Sequence, residues 1–352
     1  MTSTDRPAPA HVLLLGFGAI GRQVALQLAP EREAGAVRVW AAERDVAASR
    51  HRALPGVELV TTGADLDCLN WSDVLGEADL VVECAGVVPA GQYGPAVIAA
   101  GTDLVLTSVG ALADPGIARR LLAGPGRLWV TSGAIGGFDV LGAAADAGGL
   151  DRVRIRTTKR PTSLLRPWMS PAEQDELSAL RPGDAPVTVF TGGPAEAIER
   201  FPANVNVAVG LAWATRGRPA AVGSEGGRTA TDGTEGGGME AGGMEAGGSE
   251  TGGRGAGGTE TGGAARGADE VALLQRSLDR VRVELVADPA VGRSRHEILA
   301  EGLAGRFELA FESAPSPENP KTSGLTALSV ARTVREALRA AADRRGYEHA
   351  AR

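Results

Sequence analysis

Cysteine, aromatic residues and histidine are all scarce in this 352-residue chain, and each scarcity removes a class of protein. The two cysteines, Cys68 and Cys84, cannot build a disulfide framework. Without a C-x-x-C pair or a Cys/His cluster, no metal site is expected. No apolar run approaches the length of a membrane span, and residues 1–10 lack the basic start and apolar centre of a signal peptide. A cytoplasmic protein with no membrane partner is therefore expected. Clustered cations are also missing: arginines alternate with acids and the formal net charge is −7. Nucleic-acid binding, which draws its affinity from counterion release by clustered cations, is not expected either.

What the chain has in quantity is glycine, and its most informative placement is at residues 11–23. An apolar run at 11–15 is short and sharply bounded, as a buried parallel strand should be. It is followed by Gly16, Gly18 and Gly21 in the G-x-G-x-x-G spacing. Gly16 permits the turn off the strand, Gly18 lets a pyrophosphate approach the backbone, and Gly21 lets the next helix pack on the sheet. Ala19 and Ile20 open that helix, whose free N–H groups and positive dipole end suit phosphates. A second apolar strand at 37–42 ends at Glu43, roughly twenty residues past the last glycine, where this motif places an acid on the adenosine ribose. NAD or NADP is the expected cofactor. Arg44 leaves the choice open, since a guanidinium suits a 2′-phosphate that Glu43 would repel.

Strands alternating with helices to about residue 131 predict a Rossmann-type doubly wound parallel sheet over 11–135, after a leader at 1–10. From 136 to 320 the period changes. Half-buried strands near 153–159, 187–191, 281–287 and 306–312 predict a second α+β substrate domain with a mixed or antiparallel sheet. Residues 218–268 repeat glycine and glutamate almost without large apolar side chains and read as a disordered insertion. A short helix is expected at 269–280, a C-terminal helix at 321–345 and a frayed tail at 346–352.

Candidate chemistry is sparse. Of four histidines, His11 sits at the wrong end of its strand, His51 follows a helix and His349 lies in the tail. His296 is expected in a polar loop after strand 281–287, within reach of an interdomain cleft, and imidazole suits proton movement near neutral pH. Asn206 leads into a helix and reads either as its N-cap or as a cleft donor. The small-residue corner at 132–137, with Ala134, reads either as a place where backbone meets a ligand or as an interdomain turn. Lys159 and Lys321 are cations able to meet a carboxylate, and each is equally readable as solvated surface. Cys84 is expected to be a small buried hydrophobe.

The segments SVGALAD (108–114), SGAIGGFD (132–139), FPANVNVA (201–208), ADP followed by RHE (287–297) and PENPKTS (317–323) resemble the L-aspartate dehydrogenase family, in order from residue 11 to about 330 apart from the glycine-rich insertion. The resemblance implies NAD(P)-dependent interconversion of L-aspartate with iminoaspartate, hence oxaloacetate and ammonia, or supply of pyridine-nucleotide synthesis. It also implies that His296 is the active-site residue and that Ala134 and Asn206 contact the dinucleotide. Family members often carry Asn two residues before that histidine, where this chain has Ser294. A homo-oligomer is expected. The alternatives are another two-domain enzyme similar to homoserine dehydrogenase or dihydrodipicolinate reductase, and a catalytically silent nucleotide sensor.

Overall fold

The computed structural model describes residues 8–61, 71–202, 206–218, 259–320 and 322–350. Its first half alternates strand and helix: β1 (Ala10–Leu15), α1 (Ala19–Gln27), α2 (Ala29–Glu33), β2 (Val37–Glu43), α3 (Val46–Ser49), β3 (Val57–Thr61), α4 (Trp71–Glu77), β4 (Leu80–Glu83), α5 (Val87–Ala99), β5 (Asp103–Leu106), α6 (Pro115–Leu122) and β6 (Leu128–Val130). The six strands pair in parallel in the order β3-β2-β1-β4-β5-β6. Both faces of the sheet are covered, so residues 12–15 of β1 and 80–82 of β4 run as buried apolar segments. The strand order reverses between β1 and β4, and ligands of such sheets bind outside the carboxyl ends of the strands at that point. The glycine loop follows β1 there, and Glu83 ends β4 beside it.

The second half contains α7 (Phe138–Asp146), β7 (Arg152–Lys159), α8 (Pro171–Ala179), β8 (Val187–Gly192), α9 (Pro194–Arg200), α10 (Asn206–Ala214), α11 (Thr259–Arg280), β9 (Val281–Ala287), β10 (Arg295–Gly302), β11 (Gly305–Glu312) and α12 (Gly324–Ala350). Its five strands take the order β11-β10-β7-β9-β8; β7 and β9 are parallel and the other pairings antiparallel, so the sheet is mixed. Period-two alternation gives it one inner face, carrying Val153, Ile155, Val283, Leu285 and Ile298, and one charged outer face. Among the described residues no helix is long and apolar enough to cross a membrane.

Three expectations change. His296 is not in a loop: it is the second residue of β10. Its strand escapes the sequence reading because Arg295, Glu297 and Glu301 occupy the outer face while only His296, Ile298 and Ala300 turn inward. Helix α11 begins at Thr259, ten residues inside the stretch read as insertion. There the backbone at Gly267 lies against the end of α6, where an added Cβ would come within 3.2 Å of the Leu122 carbonyl. That glycine permits close helix packing, a use composition does not reveal. Lastly, α12 runs on through Gly346 to Ala350. Ala327, Val330, Val334 and Ala337 of this helix are buried with Val12, Leu14 and Val24, so the chain's last helix returns to the first sheet. Residues 1–7 of the expected leader and 219–258 of the insertion lie outside the described residues.

Candidate active site

The glycine loop is built as its spacing requires. Gly16 has φ +95°, a conformation that side chains resist. An added Cβ at Gly21 would sit 2.1 Å from the Gly16 carbonyl oxygen, whereas at Gly18 it would meet nothing within 4 Å and would project into open space. Close packing thus demands Gly21, and the room beside Gly18 is a cradle. The Glu43 carboxylate accepts the Phe17 N–H, which ties the end of β2 to the loop. Gly16, Gly18, Glu43, Arg44, Val88 and Tyr93 line a cavity of about 600 Å³. These residues fit the adenosine and pyrophosphate portions of a dinucleotide.

Cys84 and Ala85 line this cavity and also an inner one of about 310 Å³ that reaches the second sheet. Between the two stands Glu83, fully buried at the end of β4. Its carboxylate accepts from the N–H groups of Ala85, Gly86 and Ser108, each at 2.8 Å, and from Ser108 Oγ at 3.0 Å. Burial pushes this carboxyl above the usual range, against those donors. One side chain therefore fixes the loops that follow β4 and β5, both of which line the inner cavity.

Asn206 opens α10, and its amide oxygen accepts the Gly110 N–H at 3.0 Å across the domain boundary. The fit is close enough that an added Cβ at Gly110 would fall 2.7 Å from that oxygen. The corner carrying Ala134 is pinned by α12: Ser329 Oγ lies 2.9 Å from Ser132 Oγ and accepts the Gly133 N–H at 3.2 Å. Opposite these groups is the edge of the second sheet. Lys159 is the last residue of β7, and His296 pairs in register with Thr157, two residues earlier on the same face. His296 Nδ1 is 2.9 Å from Thr157 Oγ1, so threonine is the partner of this ring.

Both cleft-facing titratable groups are nearly removed from water, with His296 4% and Lys159 8% exposed. Burial, reinforced by Lys159, lowers the imidazole to about 3, and burial with the Arg166 guanidinium lowers the Lys159 ammonium to about 8. Around pH 7 the histidine is neutral, while the lysine is charged but releases its proton readily. Cys84 is inert, because burial and the neighbouring Glu83 push its thiol far up.

Comparison with known proteins accounts for both halves. Residues 16–124 match the homoserine dehydrogenase NAD binding domain, and residues 139–223 and 268–337 match the aspartate dehydrogenase C-terminal domain. The L-aspartate dehydrogenase of Ralstonia pickettii is 32% identical over 92% of this chain and 96% of its own length. The chain belongs to the L-aspartate dehydrogenase family. The L-aspartate dehydrogenase of Brucella anthropi is 30% identical over 92% of this chain and 94% of its own. Aspartate dehydrogenase from Thermotoga maritima, 23% identical, superimposes with a TM-score of 0.55 over 93% of this chain and 96% of that one, a likeness of fold. The C-terminal family match breaks off between 223 and 268, over most of the glycine-rich stretch.

Among the residues singled out from sequence, Gly16, Gly18 and Glu43 line the outer cavity, and Ile20, Ala134, Lys159, Asn206 and His296 meet around the inner one. Ala19 and Gly21 line neither; they open α1 and seat it on the loop. Lys321 lies outside the described residues, though its neighbours Thr322 and Ser323 line the inner cavity. Sequence reading missed Thr157, Ser329 and the role of Glu83. Only Glu83 left a signal, as an acid ending a wholly apolar strand.

Proposed function

We propose that this chain is an NAD(P)-dependent L-aspartate dehydrogenase, interconverting L-aspartate with iminoaspartate and so with oxaloacetate and ammonia. The observation that carries this reading is the inner cavity. It joins the carboxyl edge of the dinucleotide sheet to a buried lysine and histidine on the second sheet, within reach of each other. The glycine loop and Glu43 would hold the adenosine and pyrophosphate, and Ala134 and Asn206 the nicotinamide end. The bound cofactor supplies a ring carbon that accepts or returns a hydride.

The rest falls to this chain's side chains. Lys159 gives the small cavity positive charge, which suits a substrate with two carboxylates, and Ser108, Ser132 and Ser323 add hydroxyls to its wall. His296, held by Thr157 and neutral, has Nε2 left to meet the amine or a water. The cleft's confinement favours a small substrate. The same reading includes a cytoplasmic homo-oligomer without a nucleic-acid or membrane partner, in keeping with the net charge of −7.

Reductive amination of oxaloacetate, run with ammonia and with NADH or NADPH in turn, tests the proposal. Turnover that needs ammonia, and oxidation of L-aspartate well above that of homoserine, are expected. Preferential turnover of homoserine would place the chain's activity elsewhere despite its family.

A further inference from the structure

Among the described residues lining the inner cavity, three can exchange a proton: Cys84, Lys159 and His296; no carboxylate does. Oxidation of an amino acid at Cα needs such a group. The substrate arrives as an ammonium, and its nitrogen has no lone pair to form the C=N bond until a proton leaves. Cys84 is the wrong acceptor, since its thiol holds its own proton. His296 already has Nδ1 committed to Thr157, and its burial, with the Lys159 side chain nearby as a lesser cause, opposes a positive charge on the ring.

Composition points the same way. The sequence contains two lysines, Lys159 and Lys321, and every other basic side chain apart from histidine is arginine. Arginine serves wherever a permanent cation suffices, as in the Arg156–Glu284 and Arg335–Glu31 pairs. It cannot lose its proton in a protein, whereas a buried lysine can. A buried lysine in the wall of the cleft, in a chain otherwise so devoted to arginine, is a place where a neutral amine is useful.

We propose that Lys159, not His296, is the catalytic base that takes the proton from the substrate's α-ammonium, while neutral His296 hydrogen-bonds the freed amine and then the water that attacks the imine. This rests on the reading of the substrate as L-aspartate. The placement supports it: Lys159 ends β7, and His296, opposite Thr157 on β10, is its diagonal neighbour, about 7–8 Å away between backbones in such a ladder. Both residues line the same small cavity, which brings one substrate nitrogen toward both. Among the described residues, the charged and titratable groups around Lys159 include His296 on β10, Arg166 in the loop after β7, and Asp288, whose backbone N–H donates to the Lys159 carbonyl at 2.9 Å. The Arg166 guanidinium, held by the Ser163 and Leu165 carbonyls and set over the Phe201 ring at 5.5 Å, favours the neutral amine of Lys159.

The step balances. A substrate N–H bond breaks and an Nζ–H bond forms on Lys159. With NAD(P)⁺ bound, the Cα–H electron pair would leave as hydride and the nitrogen lone pair would close the C=N bond. The substrate loses two electrons, the dinucleotide gains them, and the proton stays on Lys159 until solvent takes it.

The test begins with unaltered protein, K159R and K159A, each with NADH affinity and succinate binding to the NADH complex read by nucleotide fluorescence. K159R keeps the charge and loses the base. It is expected to bind NADH and succinate as the unaltered protein does while kcat for L-aspartate falls by about 10² to 10⁴. In K159A, added methylamine or ethylamine is expected to restore kcat by at least about tenfold, in proportion to the free amine present. Retention of kcat by K159R to within about threefold would make Lys159 a charge anchor and overturn the assignment. So would a K159A protein that binds NADH and succinate but ignores amines. Failure of the unaltered protein to oxidise L-aspartate would instead remove the reading of the substrate, and this assignment with it.

Discussion

At the scale of single residues, burial decides more than identity. His296 and Lys159 are each displaced from their ordinary titration range mainly by loss of water, and both shifts favour the neutral form. Replacing His296 by Ala is expected to lower kcat by about 10² to 10³, the range for losing one preorganised hydrogen-bonding group at the reacting centre. The pH profile of kcat/KM should keep its limb near 8, because a histidine held at about 3 does not titrate there. Loss of that limb in the variant would reassign it to the imidazole. Lys159 also carries a stability cost. Its folded value of about 8 lies below the unfolded 10.5, so at pH 7 the fold must bury an ammonium at a penalty of up to about 3 kcal/mol. The penalty is complete below pH 8, shrinks as pH rises toward 10.5 and then vanishes. Lys159→Met should therefore raise the melting temperature at pH 7 while abolishing activity, and its advantage should disappear above pH 10. An unchanged or lower melting temperature at pH 7 would mean that partners of the ammonium offset its burial.

At the scale of elements, the sequence displays strands that are apolar throughout and hides those that share their residues with solvent. The glycine loop, β1, β2 and the end of β4 are legible because each is a short buried run with a physical stop. β10 is not, since its outward Arg295, Glu297 and Glu301 give His296 the surroundings of a polar loop. The role of Glu83 is invisible for another reason: its partners are backbone N–H groups, which leave no trace in side-chain identity. Glu83→Ala would leave those donors and the Ser108 hydroxyl without the carboxylate, and should cost about 3 kcal/mol or more of stability. NADH affinity, measured on whatever folds at low temperature, should fall as well, because the loops after β4 and β5 lose their common tie. Wild-type affinity and stability together would contradict that role.

The glycine-rich stretch belongs to the same scale. The family match resumes at 268 and α11 already packs on α6 at Gly267, so the dispensable part ends before the helix. Replacing 219–258 by a short Gly/Ser linker should change stability by no more than about 1 kcal/mol, since loop closure depends weakly on length, and should leave kcat unaltered. Extending the deletion through 268 removes the start of α11 and should lower the melting temperature. A loss of activity from the shorter replacement would show that this segment contributes to the cleft.

Across the whole molecule, two sheets of different design meet at one cleft. The parallel sheet presents its switch point, where backbone and glycine make room for a dinucleotide, and the mixed sheet presents the edge where Lys159 and His296 lie. The last helix, α12, returns to the first sheet and packs on it, while its Ser329 pins the corner that carries Ala134. This convergence was only partly open to sequence reasoning. Periodicity gave two domains, but that Thr157 would meet His296 depends on a register between distant strands, which the local pattern does not encode.

If the cleft is a single site with cofactor on one wall and amino acid on the other, hydride must pass directly between them. The decisive measurement uses L-aspartate deuterated at Cα, with the reduced nucleotide analysed by NMR and mass spectrometry. Stoichiometric transfer of deuterium to the nicotinamide ring is the expected result. Reduced nucleotide without deuterium, or deuterium appearing in the solvent, would contradict a direct transfer across this cleft.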